Sequence, residues 1–158
     1  MNMNTQKIRL LREKLRILER ESMGALDQEG ACCGLTLSQC HTVMEIGLKG
    51  DMSLVDLANS LGLDASTLSR TIQGLVLIGL VVRKANEKDR RYVTLSLSEQ
   101  GRKVYEEIDG VYNAFLAGVF ERLPAAKHER ILEDIGLFVD AVRAVNEATG
   151  CCRPGRKS

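Results

Sequence analysis

The sequence lacks the long apolar segments that a membrane protein needs. No run of about eighteen apolar residues occurs in its 158 residues, so no transmembrane helix is expected. The first residues, MNMNTQKIRLLREK, contain no apolar core of the kind found in signal peptides. We therefore expect a cytoplasmic protein, long enough for one domain with a real hydrophobic core.

The sequence also has little that could carry catalysis. It contains no glycine-rich phosphate loop and no nucleophile-elbow motif, and its only histidines are His41 and His128. His128 falls in the charged run KHER and is expected at the surface. His41 follows Cys40, but adjacent side chains on a helix point in different directions, so the two do not form a catalytic pair. We expect no enzymatic activity.

The net charge is small: the sequence contains 22 basic and 21 acidic residues, which gives +1. The charges are nevertheless unevenly distributed. Residues 64–91 hold six bases against three acids, whereas residues 98–149 hold ten acids against six bases. Local charge rather than total charge determines attraction to phosphate, so the first of these segments is suited to a nucleic acid.

Two short helices are predicted between residues 53 and 78. Ser53 and Asp64 are suited to cap them, because their side chains accept hydrogen bonds from the first N–H groups of a helix. Gly62 ends the first helix, since glycine tolerates the left-handed conformation there. Apolar residues recur at the helical period at Leu54, Leu57, Ala58, Leu61, Leu68, Ile72, Leu75 and Ile78. This pattern predicts a helix-turn-helix with residues 64–78 as the recognition helix.

Polar side chains on the outer face of that helix are of the types that contact base edges and phosphates. They are Ser66, Thr67, Ser69, Arg70 and Gln73. Two strands follow, at residues 80–84 and 92–97, and the segment between them is too polar to pack. Its basic side chains suit the narrow minor groove of DNA. The candidate DNA-contacting residues in and beside this tip are Lys84, Lys88, Asp89, Arg90 and Arg91.

The order of helix-turn-helix, strand, basic tip and strand resembles the winged helix of the MarR family of bacterial transcription regulators. The similar stretches are LTLSQCHTVMEI, LANSLGLDASTLSRTIQGLVLIGLV and KDRRYVTLSLSEQGRKV. The resemblance implies that Arg91 enters the minor groove and that Asp89 orients it, with Arg90 as a second candidate. It also implies a homodimer whose two wings contact a pseudo-palindromic operator in double-stranded DNA. We expect a transcription regulator, and specifically a repressor.

The predicted fold is mostly α-helical, with a small β-hairpin wing. The whole chain, residues 1–158, is expected to form one domain: residues 35–100 form the winged helix and residues 150–158 a basic tail. Residues 5–26 and 101–149 form long amphipathic helices, and Pro124 lies in the first turn of the last one. A winged helix cannot bury all of these apolar stripes, so we expect a dimer through the N- and C-terminal helices and no membrane contact.

Five cysteines occur, and two pairs of them are adjacent in sequence: Cys32, Cys33, Cys40, Cys151 and Cys152. The first pair is placed in a glycine-bearing loop at residues 27–35. Vicinal thiols suit a thiophilic metal or metalloid ion, although the spacing matches no zinc template. We predict that these thiols sense an effector, namely a metal, a metalloid or an oxidant. Two alternatives remain: a small organic effector with cysteines that only pack, and a winged helix that binds proteins rather than DNA.

Overall fold

The structure, a computed structural model, describes residues 3–85 and 93–149, and for residues 23–33 it describes the backbone alone. The chain divides into two compact units, Met1–Thr36 and Leu37–Ser158. No helix in the described ranges is long and apolar enough to cross a membrane.

The first unit contains one helix, α1, which runs over Met3–Cys33. The predicted loop at residues 27–35 is therefore wrong, because the helix continues to Cys33 and ends beside Gly34, which has a φ of 65°. Gly30 falls inside the helix, where a glycine costs only about 1 kcal/mol relative to alanine and does not stop it. The apolar side chains of α1 are exposed, among them Ile8 and Leu15.

The second unit begins with α2 (Leu37–Lys49) and continues with a two-residue strand, β1 (Met52–Ser53). The helix-turn-helix follows as α3 (Leu54–Leu61) and α4 (Ala65–Leu77). Strands β2 (Val81–Ala85) and β3 (Val93–Leu97) form the wing, and two long helices complete the unit: α5 (Glu99–Glu121) and α6 (His128–Thr149). The predicted mostly helical winged-helix fold is confirmed.

The sheet has three antiparallel strands in the order β1-β3-β2. Met52 pairs with Leu95, and Val81 pairs with Leu97. The sequence predicted only the hairpin of β2 and β3. Strand β1 was missed because two residues are too few to show the alternation by which a strand is recognised.

The core of the second unit lies between α2, the helix-turn-helix and the sheet. Its fully buried apolar side chains are Val43, Ile46, Leu57, Leu68, Ile72, Leu75, Val81 and Leu95. Burial of each such side chain contributes about 1.5–3 kcal/mol to stability. Ile78 was predicted to continue this stripe, but it is the C-cap of α4 and remains 49% exposed. The chain turns at Gly79, and Leu80 enters the core in its place.

Two glycines allow α5 to pack closely on its neighbours. A Cβ at Gly47 of α2 would overlap the ring of Tyr105, and a Cβ at Gly101 would overlap the carbonyl oxygen of Leu80. Ser98 caps α5 by accepting a hydrogen bond from the Gly101 N–H (2.9 Å) while its hydroxyl donates to the Gly79 carbonyl (2.6 Å). The start of α5 is therefore fixed to the end of the helix-turn-helix.

The junction between α5 and α6 differs from the prediction. Pro124 precedes a separate 3-10 turn, Ala125–Lys127, and α6 starts only at His128. His128 was expected at the surface but is half-buried, with Nε2 lying 3.0 Å from the Phe120 carbonyl and 3.2 Å from the Leu123 carbonyl. Both partners are acceptors, so Nε2 carries the proton and donates. The imidazole also meets the Phe120 ring edge-on at 4.9 Å, and it thereby closes the C-terminus of α5.

Candidate nucleic-acid interface

Helix α3, the first helix of the helix-turn-helix, is capped at both ends by hydrogen bonds that the local sequence provides. The Ser53 hydroxyl accepts from the Asp56 N–H (3.1 Å) and donates to the Asp56 carboxylate (2.6 Å). Gly62 adopts the left-handed conformation, with a φ of 65°, and the Leu63 N–H donates to the Ala58 carbonyl (3.0 Å). The prediction of both signals is confirmed. They set the angle at which α4 leaves α3.

Asp64 organises the first turn of α4. One carboxylate oxygen accepts from the Thr67 N–H (2.8 Å) and from the Ser66 hydroxyl (2.5 Å), and the other accepts from the Thr67 hydroxyl (2.6 Å). These side-chain hydrogen bonds, followed by the backbone one, hold the pKa of Asp64 well below its usual range. The residue is therefore an ionised acceptor at neutral pH.

The outer face of α4 carries the predicted DNA-contacting side chains. Leu68, Ile72 and Leu75 are buried, and the helical period directs the opposite side of α4 outward. Ser66, Thr67, Arg70 and Gln73 are exposed, and Ser69 is half-buried. These residues form one polar surface, which we call the α4 face.

The sequence did not reveal the polar contacts that α2 makes with the two helices of the helix-turn-helix. The Ser38 hydroxyl of α2 lies 3.3 Å from the Thr71 hydroxyl of α4. Two turns further along α2, Glu45 pairs with Lys49 (2.6 Å) and accepts a hydrogen bond from Ser60 of α3. Lys49, and after it Ser60, lower the pKa of Glu45. The two contacts between helices, Ser38 with Thr71 and Ser60 with Glu45, join residues 33 and 15 positions apart, so no local pattern could indicate them.

The base of the wing is described, and its tip is not. Lys84, one of the predicted DNA-contacting residues, is exposed on β2 opposite Thr94. Arg83 is also exposed but was not among the predicted contacts, although its place in a basic strand beside the helix-turn-helix could have suggested it. Four predicted residues lie outside the described residues: Lys88, Asp89, Arg90 and Arg91.

The predicted thiol site is described only at Cys40. This residue lies in α2, is 7% exposed, and raises the pKa of Tyr112 in addition to the larger effect of that tyrosine's burial. Cys32 and Cys33 belong to the last turn of α1 rather than to a loop, and their side chains lie outside the described part of the chain, as do Cys151 and Cys152. Among the side chains that are described, no group of three or more His, Cys, Asp or Glu could hold a metal ion.

The winged-helix part of the chain is similar in sequence to known proteins. The sequence profile of the MarR family matches residues 35–93. The HTH-type transcriptional regulator BilQ of Clostridium symbiosum is 29% identical over 80 residues, which are 51% of this chain and 56% of that protein. The match therefore spans little more than half the length of this curated relative.

Solved structures of low sequence identity share the fold. Staphylococcus aureus MepR in its DNA-binding conformation gives a TM-score of 0.74 at 18% identity and covers 84% of this chain and 98% of MepR. The S. aureus MepR–DNA complex gives a TM-score of 0.69 at 19% identity and covers 82% and 96%. A MarR transcriptional regulator from Methanosarcina mazei gives 0.74 at 20% identity and covers 87% and 99%.

Proposed function

We propose that this chain is a transcription regulator of the MarR family, that it binds operator DNA sequence-specifically, and that it acts as a repressor; the family profile over residues 35–93 supports this. The α4 face carries this proposal. It places an arginine, a glutamine and short hydroxyl side chains on the exposed side of a recognition helix whose other side is buried. These are the side chains that contact base edges in a major groove.

Charge at the wing supports the same function. Arg83 and Lys84 are successive residues of β2, so their side chains leave opposite faces of the strand and can follow two neighbouring parts of a phosphate backbone. We propose that Lys88, Arg90 and Arg91 at the tip continue this basic edge into the minor groove and that Asp89 orients Arg91. MepR, which has a similar fold, has been solved bound to DNA.

We propose that the protein acts as a homodimer. Large apolar side chains are exposed on α1, such as Leu11 and Leu18, and on α6, such as Ile135 and Val142. The charges around them are complementary: residues 4–22 hold six bases against three acids, and residues 128–149 hold five acids against two bases. A second copy would cover both stripes and place two α4 faces on one pseudo-palindromic operator.

A dimer of this kind can repress simply by occupying the promoter, because two half-sites about one helical turn apart cover DNA that polymerase must use. For the effector, we propose release through the thiols of Cys32, Cys33, Cys151 and Cys152 by a metal, metalloid or oxidant. The burial of Cys40 favours a packing role at that position and supports the alternative, a small organic effector.

The test of DNA binding is a shift assay with promoter fragments at two salt concentrations. Phosphate contacts release counterions, so we expect affinity to fall steeply between 50 and 200 mM salt, on the order of 10³-fold for six or more contacts. Arg70→Ala should weaken specific binding, whereas Arg130→Ala on α6 is the matched control. An affinity for the promoter fragments that changes neither with salt concentration nor with Arg70→Ala would argue against specific DNA recognition and favour a protein-interaction module.

The dimer is tested by deleting residues 1–36, the whole first unit. We expect aggregation, since the deletion removes the α1 part of the proposed dimer interface. A soluble monomer that still binds the operator would contradict the proposed dimer but not DNA binding.

A further inference from the structure

Two hydroxyl groups on the α4 face, those of Ser66 and Thr67, donate their protons in hydrogen bonds to the carboxylate of Asp64. We propose that Ser66 and Thr67 therefore act only as hydrogen-bond acceptors toward DNA, and that the first turn of α4 selects bases with an exocyclic amino group, adenine or cytosine. The inference rests on the proposed DNA-binding function and adds the base chemistry that this part of the interface recognises.

The geometry leaves each hydroxyl able only to accept a hydrogen bond from DNA. A hydroxyl has one hydrogen to donate and two lone pairs with which to accept. The Ser66 hydroxyl donates to one carboxylate oxygen of Asp64 (2.5 Å), and the Thr67 hydroxyl donates to the other (2.6 Å). Both side chains are exposed, so what they present to a groove is their remaining lone pairs.

Asp64 keeps the hydroxyls in this state. A carboxylate accepts hydrogen bonds but cannot donate them, so neither hydroxyl can receive a proton from it. The three hydrogen bonds to Asp64 are charge-assisted, which makes them stronger than bonds between neutral groups. If either hydroxyl turned its proton toward a base, it would give up such a bond.

The major groove distinguishes bases by donors and acceptors. Adenine N6 and cytosine N4 are donors there, whereas guanine offers only acceptors and thymine offers an acceptor and a methyl group. Serine and threonine can usually pair with either kind of group. Ser66 and Thr67 can pair only with a donor, because the acceptor atoms of guanine or thymine would face a hydroxyl oxygen that has no proton left to give.

Arg70, on the same helix, supplies hydrogen-bond donors instead of acceptors. Its guanidinium has donors only and suits guanine O6 and N7. It lies three or four residues beyond the hydroxyls, which is about 5 Å along a helix that rises 1.5 Å per residue. Base pairs are about 3.4 Å apart, so the amino-bearing base should lie within about two base pairs of the guanine.

The first experiment selects duplexes from a randomised operator library with the full chain and four variants. Ser66→Ala and Thr67→Val remove the hydroxyls, and Arg130→Ala on α6 is the control outside the interface. Every base pair has one amino-bearing base, so only the strand that carries it can differ. At the base pair where selection changes in the first two variants, we therefore expect A·T and C·G, written along one strand, to be favoured over T·A and G·C, and Arg130→Ala to leave the selection unchanged. Asp64→Asn still caps the helix, but its amide can donate to a hydroxyl and free that proton. This variant should also admit T·A or G·C at that base pair.

The second experiment deletes one amino group. Adenine is replaced by purine, or cytosine by 2-pyrimidinone, at the selected position. We expect affinity of the parent chain to fall by about tenfold, as for loss of one base contact, and affinity of the Ser66→Ala, Thr67→Val double variant to stay unchanged.

Two results would overturn the inference alone: unchanged affinity of the parent chain when the amino group of the hydroxyl-dependent base pair is deleted, or base selection that Ser66→Ala and Thr67→Val leave unaltered while Arg70→Ala still changes it. Absence of any sequence-dependent binding, by contrast, would overturn the DNA-binding proposal and this inference with it.

Discussion

The ring of Tyr105 on α5 occupies the space that a Cβ of Gly47 on α2 would need. Helix α2 also carries Ser38, whose hydroxyl meets Thr71 of α4. The recognition helix and the long helix that follows the wing are thus both positioned by α2.

The close approach of Gly47 and Tyr105 predicts an overpacking penalty. Gly47→Ala should lower the free energy of unfolding by about 1–3 kcal/mol, because the added methyl group meets an aromatic ring that the core cannot easily move. Gly110→Ala on α5 is the matched control, since nothing lies within 4 Å of the Cβ that it adds. There the better helix propensity of alanine should raise stability by up to about 1 kcal/mol. Urea unfolding of both variants measures the difference, and equal effects would contradict the packing argument.

Ser98 joins the cap of α5 to the end of the helix-turn-helix. Ser98→Ala removes the bond from the Gly101 N–H and the bond to the Gly79 carbonyl, so we expect a loss of about 1–2 kcal/mol in thermal or urea unfolding. Ser98→Thr retains both hydrogen-bonding functions and should stay near the parent. A Thr variant as unstable as the Ala variant would show that the hydroxyl is not the cause.

The ion pair of Glu45 and Lys49 should make stability depend on acid pH. Because Lys49 and Ser60 lower the pKa of Glu45 in the folded state, its contribution is present above the unfolded pKa, near 4.5, and is lost as the pH falls through the folded value. The stability difference between the parent and Glu45→Gln should therefore be largest at neutral pH and shrink below about pH 4.5. Glu133→Gln, at an exposed position of α6, controls for loss of a charge. A Glu45→Gln difference that stays constant from pH 7 to pH 3 would argue against the ion pair.

Arg91 tests the proposed minor-groove contact. Arg91→Ala should weaken operator binding by about 1–3 kcal/mol and leave unfolding nearly unchanged, because the residue lies in a polar segment between two strands. Arg91→Lys keeps the charge and shows whether the guanidinium itself is needed. Unchanged affinity in both variants would remove Arg91 from the interface.

Substitution of the cysteines tests which kind of effector releases the protein from DNA. The parent and the Cys→Ser variants at positions 32, 33, 151 and 152 are titrated on operator DNA with zinc, copper(I), arsenite and peroxide. A thiol sensor should release DNA with at least one agent and lose that response in the variants. Cys40→Ser should instead destabilise the fold by about 1–3 kcal/mol, because it places a more polar group in a buried site. Parent-like responses in every variant would leave the small organic effector.

Much of the helix-turn-helix was predictable because its signals are short in range. Ser53 bonds to the residue three positions later, as do Asp64 and Ser98. A residue type at a fixed spacing is enough to establish such bonds. The continuation of α1 through Gly30 was not predictable in this way, since glycine weakens a helix without forbidding it.

Local sequence patterns were enough to predict where the helices of the winged helix begin, which side of α4 is buried, and which polar side chains stay exposed on it. The fold adds what no local pattern shows: β1 joins as a third strand, Gly47 leaves space for Tyr105, and His128 closes α5, because each of these needs two segments brought together. It also showed that the hydroxyls of Ser66 and Thr67 both give their protons to Asp64. Residue type alone allows a hydroxyl to donate or to accept, and its neighbours in space determine which.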